Sequence, residues 1–316
     1  MLAFMKATLA ALLLATAGAG ATETLEQTYA AYGQLFVQPF ASAPFPHPQR
    51  AEGHRYRDGF FSASEHYSDS TVALFIPKGF RETAMLDFVV HFHGWNNSVA
   101  GTLRTFKLIE QFVAGGKSAI LIVPEGPRHA PDSFGGKLED PDGFKRFMAE
   151  AMTTLRERAG FKHKEVGVGN IVLSGHSGGY RVIAAILDRG GLPSNLKEVW
   201  LFDALYAETD KFLTWWERGN GRFVILYTDG GGTKKLTETM MASLKQRELP
   251  FWQGRDSSIT DEELRTSRLI FLHTDLGHNE VLERRKTFGR LLSTSGLTEV
   301  RTNALNSAER KVGLVK

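Results

Sequence analysis

The stretch Ile171-Val172-Leu173-Ser174-Gly175-His176-Ser177-Gly178-Gly179-Tyr180 decides how the rest of the chain is read. An apolar run stops at Gly-His-Ser-Gly-Gly, and residues spaced for a helix come at once. The order is therefore strand, sharp turn, helix. A serine hydroxyl is a weak nucleophile and needs a base beside it and donors for the oxyanion it creates. A tight turn at a strand tip exposes Ser177, and Gly175 and Gly179 leave room where strand and helix close on each other. The first N–H groups of the next helix face the same place. The plain alternative is a strand-to-helix turn of some other α/β protein, so the other strands have to be consulted.

Composition narrows the setting. The chain has 316 residues, 42% hydrophobic and 23% charged, which is ordinary for a globular protein with a sizeable core. A formal charge of +3 without a long Lys/Arg run gives no argument for a nucleic-acid partner. Cysteine is absent, which removes disulfides, a thiol nucleophile and Cys-based metal sites. Residues 1–21 read as a secretory signal peptide: Lys6, a short apolar run over 7–17, and Ala19-Gly20-Ala21 as a cleavage site. The protein is expected to be secreted or periplasmic, cut near Ala21. That apolar run is short for a span, so no stable membrane insertion is expected once the signal is removed.

Residues 22–70 read as an irregular amino-terminal strap, broken by Pro39, Pro44, Pro46 and Pro48. From residue 71 the pattern turns regular. Strands are expected over 71–76, 86–92, 119–123, up to 173, 198–202, 222–227 and 268–273. Helices are expected over 101–114, 142–158, 179–187, 207–217, 233–247 and 279–293. On the 142–158 helix, Phe144, Phe147, Met148, Met152 and Leu155 share one face. Short, nearly continuous apolar strands alternating with helices predict an α/β fold: a mostly parallel central sheet with helices on both faces. The regular domain runs over 71–301, and 302–316 reads as a frayed tail.

Parallel sheets bind ligands at the carboxyl ends of their strands, so the residues at those ends test the serine. His93-Gly94-Trp95 comes after the second strand and Ser177 after the elbow strand. Asp203 comes after the next, in Phe202-Asp203-Ala204, and Asp229 after the one beyond, in Thr228-Asp229-Gly230-Gly231-Gly232. Gly277-His278 comes after the last. Serine, acid and histidine therefore appear in that order, each at a strand end.

With the His-Gly loop, the elbow and the terminal Gly-His together, the segment 71–292 resembles an α/β-hydrolase. The resemblance implies a serine-hydrolase mechanism on an eight-strand type of sheet. Ser177 would be the nucleophile and His278 the general base. His273 competes for that role but lies inside a strand, and His176 flanks the nucleophile, pointing away or lining the pocket. The acid is Asp203 or Asp229. Asp229 opens a Gly-rich turn that aspartate favours for local reasons. Asp203 comes after four apolar residues, and a buried carboxylate there needs a partner such as histidine; the balance leans to Asp203. The oxyanion donors implied are the N–H of Gly178 and of Trp95, with Gly94 as second choice. His91 and His93 have a metal-like spacing but no carboxylate cluster accompanies it, so no metal is expected, and the hydrolase reading needs no cofactor.

Two stretches are candidate walls of the pocket: 127–145, and 206–216 with Tyr206, Phe212, Leu213, Trp215 and Trp216. The segment 248–262, with Trp252, is a possible second rim. The expected activity is cleavage of a small or polymeric carboxylic ester through an acyl-enzyme. A peptidase or amidase of the same fold, and a binding protein that kept the fold without its chemistry, are the rivals.

Overall fold

A computed structural model describes residues 23–161 and 166–300; the expected signal peptide and tail lie outside them. The strands are β1 (Gly33–Pro39), β2 (His54–Tyr56), β3 (Gly59–Phe61), β4 (Thr71–Pro77), β5 (Met85–Phe92), β6 (Ala119–Pro124), β7 (Gly167–His176), β8 (Leu196–Phe202), β9 (Arg222–Thr228), β10 (Trp252–Arg255) and β11 (Leu269–Thr274). The helices are α1 (Leu25–Tyr29), α2 (Ala63–His66), α3 (Val99–Thr105), α4 (Leu108–Ala114), α5 (Gly143–Arg158), α6 (Tyr180–Arg189), α7 (Thr209–Arg218), α8 (Lys234–Gln246), α9 (Asp261–Thr266) and α10 (Thr287–Ser293).

Nine strands form one sheet in the order β1-β4-β6-β5-β7-β8-β9-β11-β10, and β2 and β3 form a separate hairpin. Strand β4 runs antiparallel to both β1 and β6, and every pair from β6 to β10 is parallel. Both faces are covered, which is why the strands read as continuous apolar runs. On one face, Phe144, Phe147 and Met148 of α5, Ile183 of α6, Phe212 of α7 and Leu244 of α8 are buried in one cluster. On the other, Leu103 of α3, Phe112 of α4, Leu264 of α9 and Phe288 of α10 form a second. Strand β5 alternates between them: Leu86, Phe88, Val90 and Phe92 enter the first layer and Val89 the second.

The chain leaves β5 for β6 on one side and returns to β7 on the other. Strands β5 and β7 therefore flank a topological switch point, where loops diverge and a crevice opens at the carboxyl ends.

Several elements differ from the sequence reading. The strap is not irregular throughout: β1 joins the sheet as its edge, Leu35 opposite Phe75 and Phe36 opposite Leu74. The helix expected over 101–114 is two helices, broken where Lys107 takes a left-handed φ of 47°. The last helix covers only Thr287–Ser293, after a run of turns. The segment 248–262 supplies the edge strand β10 and no rim of the crevice, and Trp252 Nε1 donates to Glu263 Oε1 at 3.0 Å.

At the opposite end of the sheet, buried Arg222 gathers several elements. Its guanidinium pairs with Glu198 at 2.6 Å and donates to the carbonyls of Leu264 in α9 and of Leu291 and Thr294 at the end of α10. Glu198 also accepts from Trp200 Nε1 and Gly296 N. Last-turn carbonyls have no partner within their own helix, and a cation suits them. Arg222→Met leaves Glu198 buried and unpaired, so a loss of about 3–5 kcal/mol of stability is expected in urea unfolding. A loss below about 1 kcal/mol would contradict that role.

Candidate active site

Strand β7 delivers Ser177 at its carboxyl end with φ 51°, the left-handed backbone of a strained turn. The elbow is crowded as expected. A Cβ on Gly175 would stand 2.7 Å from Ile183 Cδ1, and one on Gly179 2.6 Å from the Phe92 carbonyl oxygen. The loop after β5 presses on the serine too: a Cβ on Gly94 would lie 2.6 Å from Ser177 Cβ.

The structure gives each candidate acid its own histidine. Asp203, fully buried at the end of β8, accepts from His278 Nδ1 at 2.7 Å. It also accepts from Thr228 Oγ1 at 2.8 Å and from the Thr233 hydroxyl. Burial alone would raise its carboxyl; the bonds from His278, Thr233 and Thr228 outweigh burial and hold it below its ordinary value. Asp229 is exposed and meets Lys234 Nζ at 2.6 Å and His273 Nε2 at 3.1 Å. It does not contact His278. With Nδ1–H given to a carboxylate, the neutral imidazole of His278 keeps its lone pair on Nε2.

Ser177, Gly178, Trp95, His176 and His278 line one cavity of about 630 Å³. Its other walls include Phe106, Tyr180 and Tyr206, with Ser133 from the loop after β6. Among the described residues, no Asp, Glu, Lys or Arg side chain lines it. The Tyr206 hydroxyl donates to the Gly231 carbonyl at 2.5 Å. Burial first, then the Asp203 charge, push that phenol up to about 12, so it stays a neutral donor. Of the two expected walls, Ser133 and Tyr206 reach the cavity. Phe212 and Trp216 do not; they are buried where α7 packs on the sheet.

The loop that carries Gly94 and Trp95 is held from behind. His93 Nδ1 donates to the Gly94 carbonyl at 2.8 Å. A planar trans peptide sets C=O and N–H on opposite edges, so this bond turns the Trp95 N–H away from His93. Among the described residues, that N–H has no protein acceptor. The Trp95 ring lies over the elbow, where a Cβ on Gly178 would be 2.7 Å from Trp95 Cδ1, and its Nε1 donates to Ser133 Oγ at 2.7 Å. Behind it, His93 Nε2 lies 2.9 Å from Glu125 Oε1, and Glu125 Oε2 accepts from Val99 N at the start of α3. Burial opposes a charge on His93, but Glu125 overrides it and raises the imidazole above its ordinary value. Glu125 sits directly after β6, so a survey of strand ends extended to that strand would have found it.

His91 and His93 do not share a ligand set: His91 Nδ1 meets Ser174 Oγ at 2.9 Å, while His93 serves Glu125 and Gly94. Among the described residues no three His, Cys, Asp or Glu side chains cluster as a metal site would require.

His91 and His176 are buried and neutral. Burial, then the charges of His176 and His93, push His91 well below its ordinary value. Burial, then His278, bring His176 to about 4. An unfolded histidine near 6.5 binds a proton that the folded one refuses, so stability is full above pH 6.5 and falls as pH drops toward 4. For His176 the loss is on the order of 3 kcal/mol. His93 is raised, so its contribution is full below 6.5 and is lost only at higher pH. The urea midpoint is therefore expected to fall between pH 7 and pH 5; an unchanged or higher midpoint at pH 5 would refute the neutral burial.

No family model matches the chain. No curated protein matches it either. Solved structures do. FphF, a fluorophosphonate-binding serine hydrolase of Staphylococcus aureus, is 10% identical with a TM-score of 0.50, over 84% of this chain and 99% of that one. The feruloyl esterase module from Clostridium thermocellum, complexed with sinapinate, is likewise 10% identical at a TM-score of 0.50, over 83% and 88%. The likeness is one of fold, the α/β-hydrolase fold, which in this chain has a mostly parallel sheet of nine strands covered by helices.

Proposed function

We propose that the protein is an exported serine hydrolase that cleaves uncharged carboxylic esters through Ser177, His278 and Asp203. One observation carries the reading: His278 gives Nδ1–H to buried Asp203 at 2.7 Å and lines the same cavity as Ser177. Ser177 Oγ attacks the ester carbonyl carbon and its proton passes to His278 Nε2. The carbonyl electrons move onto oxygen, where the N–H groups of Gly178 and Trp95 receive the oxyanion. Collapse breaks the C–O bond, and His278 returns the proton to the departing alcohol. Water, deprotonated by the same His278, then releases the acid and restores Ser177. Asp203 stays ionised and orients the imidazole. The neutral lining offers no counter-ion to a charged acyl group, which is why uncharged esters are favoured. The similar solved structures named as a serine hydrolase and a feruloyl esterase point the same way.

The test is a fluorophosphonate probe with a substrate panel. One equivalent of probe is expected on Ser177, with p-nitrophenyl esters cleaved well above the matching anilides. Equal or faster anilide cleavage would favour a peptidase or amidase, and an unlabelled, inert protein a binding function.

A further inference from the structure

The residue just before the nucleophile has no part in the chemical steps of ester cleavage. His176 is buried, only 3% exposed, at the very end of β7. Its Nε2 lies 2.9 Å from the main-chain carbonyl oxygen of His278. A carbonyl only accepts, so His176 carries its proton on Nε2 and donates. The ring centres of His176 and His278 lie 4.8 Å apart with 33° between their planes, and the Phe106 ring packs against His176 edge to face with its centre at 5.1 Å.

His278 needs that hold. It stands on turns between β11 and α10, outside any strand or helix. The Asp203 bond fixes one ring nitrogen, but a ring held at one point still swings if its main chain moves. The neighbouring turns are tied to other elements, with Gln111 of α4 on the Leu282 carbonyl and Arg285 on Asp256 and on Thr274 of β11. The bond from His176 instead comes from the strand that carries Ser177, one residue away. It sets the base against the nucleophile's own backbone.

We infer that His176 is a positioning residue, whose Nε2–H to the His278 carbonyl sets the distance between the base and Ser177. The inference rests on the proposed triad. The Nε2–H needs only a neutral ring, and burial together with the neighbouring His278 keeps His176 in that form. A proton on Nδ1 as well would put a second cation beside the imidazolium that His278 becomes during attack.

Two substitutions separate positioning from packing. His176→Phe keeps a ring against His278 and Phe106 but cannot donate; His176→Gln places an amide N–H near the same point. With a p-nitrophenyl ester, His176→Phe is expected to lower kcat about 30-fold with KM changed less than about twofold, because a misplacement near 1 Å costs up to about a hundredfold. His176→Gln is expected to recover kcat to within about fivefold of the wild type. Melting temperatures are read alongside, and His176→Met replaces the Phe variant if that variant does not fold. Wild-type kcat in the non-donating variant, a loss confined to KM, or a Gln variant as impaired as the Phe variant would each overturn the inference. A wild type that takes no probe and cleaves no ester would overturn the triad instead.

Discussion

Ser177→Ala is expected to lower kcat for a p-nitrophenyl ester by on the order of a millionfold and to abolish fluorophosphonate labelling. The reasoning is local. Ser177 is presented at the switch point between β5 and β7, with His278 and Gly178 on the same cavity. Alanine is smaller than serine and takes the same φ of 51° at comparable cost, so the fold and melting temperature should stay. What is left would be the modest acceleration that oxyanion donors and binding give water alone. A loss under a hundredfold, or a labelled variant, would place the nucleophile elsewhere.

Asp203→Asn is expected to lower kcat by on the order of 10⁴-fold. An asparagine amide aimed at His278 Nδ1 donates where the carboxylate accepted. The imidazole then moves its proton to Nε2, the atom that must take the proton of Ser177. Asp229→Asn is the matched comparison and should change kcat less than about threefold. Its carboxylate is exposed and paired with Lys234 and His273, and exposed pairs contribute little. If the Asp229 variant loses turnover and the Asp203 variant keeps it, the acid has been assigned to the wrong strand.

Much of the fold is legible in the order of residues alone. Helix α5 shows its buried face through the spacing of Phe144, Phe147, Met148 and Leu155, because the period of 3.6 survives in an amphipathic helix. Buried strands such as β6 and β9 show as unbroken apolar runs. Strand β1 does not: its burial mixes within Gly-Gln-Leu-Phe-Val-Gln-Pro, and an edge strand draws its order from a neighbour distant in sequence. The break at Lys107 is hidden because nothing in the side chain announces a left-handed backbone.

The site divides the same way. Residue types at strand ends bring out Ser177, Asp203, Asp229, His273 and His278, but pairing is a property of space. Only the folded sheet joins Asp203 to His278 and Asp229 to His273. Thr228 and Thr233, which load the Asp203 carboxylate with hydrogen bonds, are common residues flanking a glycine turn. His176 is legible as a neighbour of the serine, while its bond is to a main-chain oxygen, which every residue carries.

The place of β1 in the sheet bears on where the folding unit starts. A chain begun at Thr71 would keep every residue of the proposed triad and oxyanion site. It would also strip the hydrogen-bonding side of β4, a strand buried along nearly its whole length, and leave it as an open edge. Such an edge invites strand addition from another copy. Self-association, before any loss of chemistry, would be the first symptom of trimming the amino-terminal segment past Gly33.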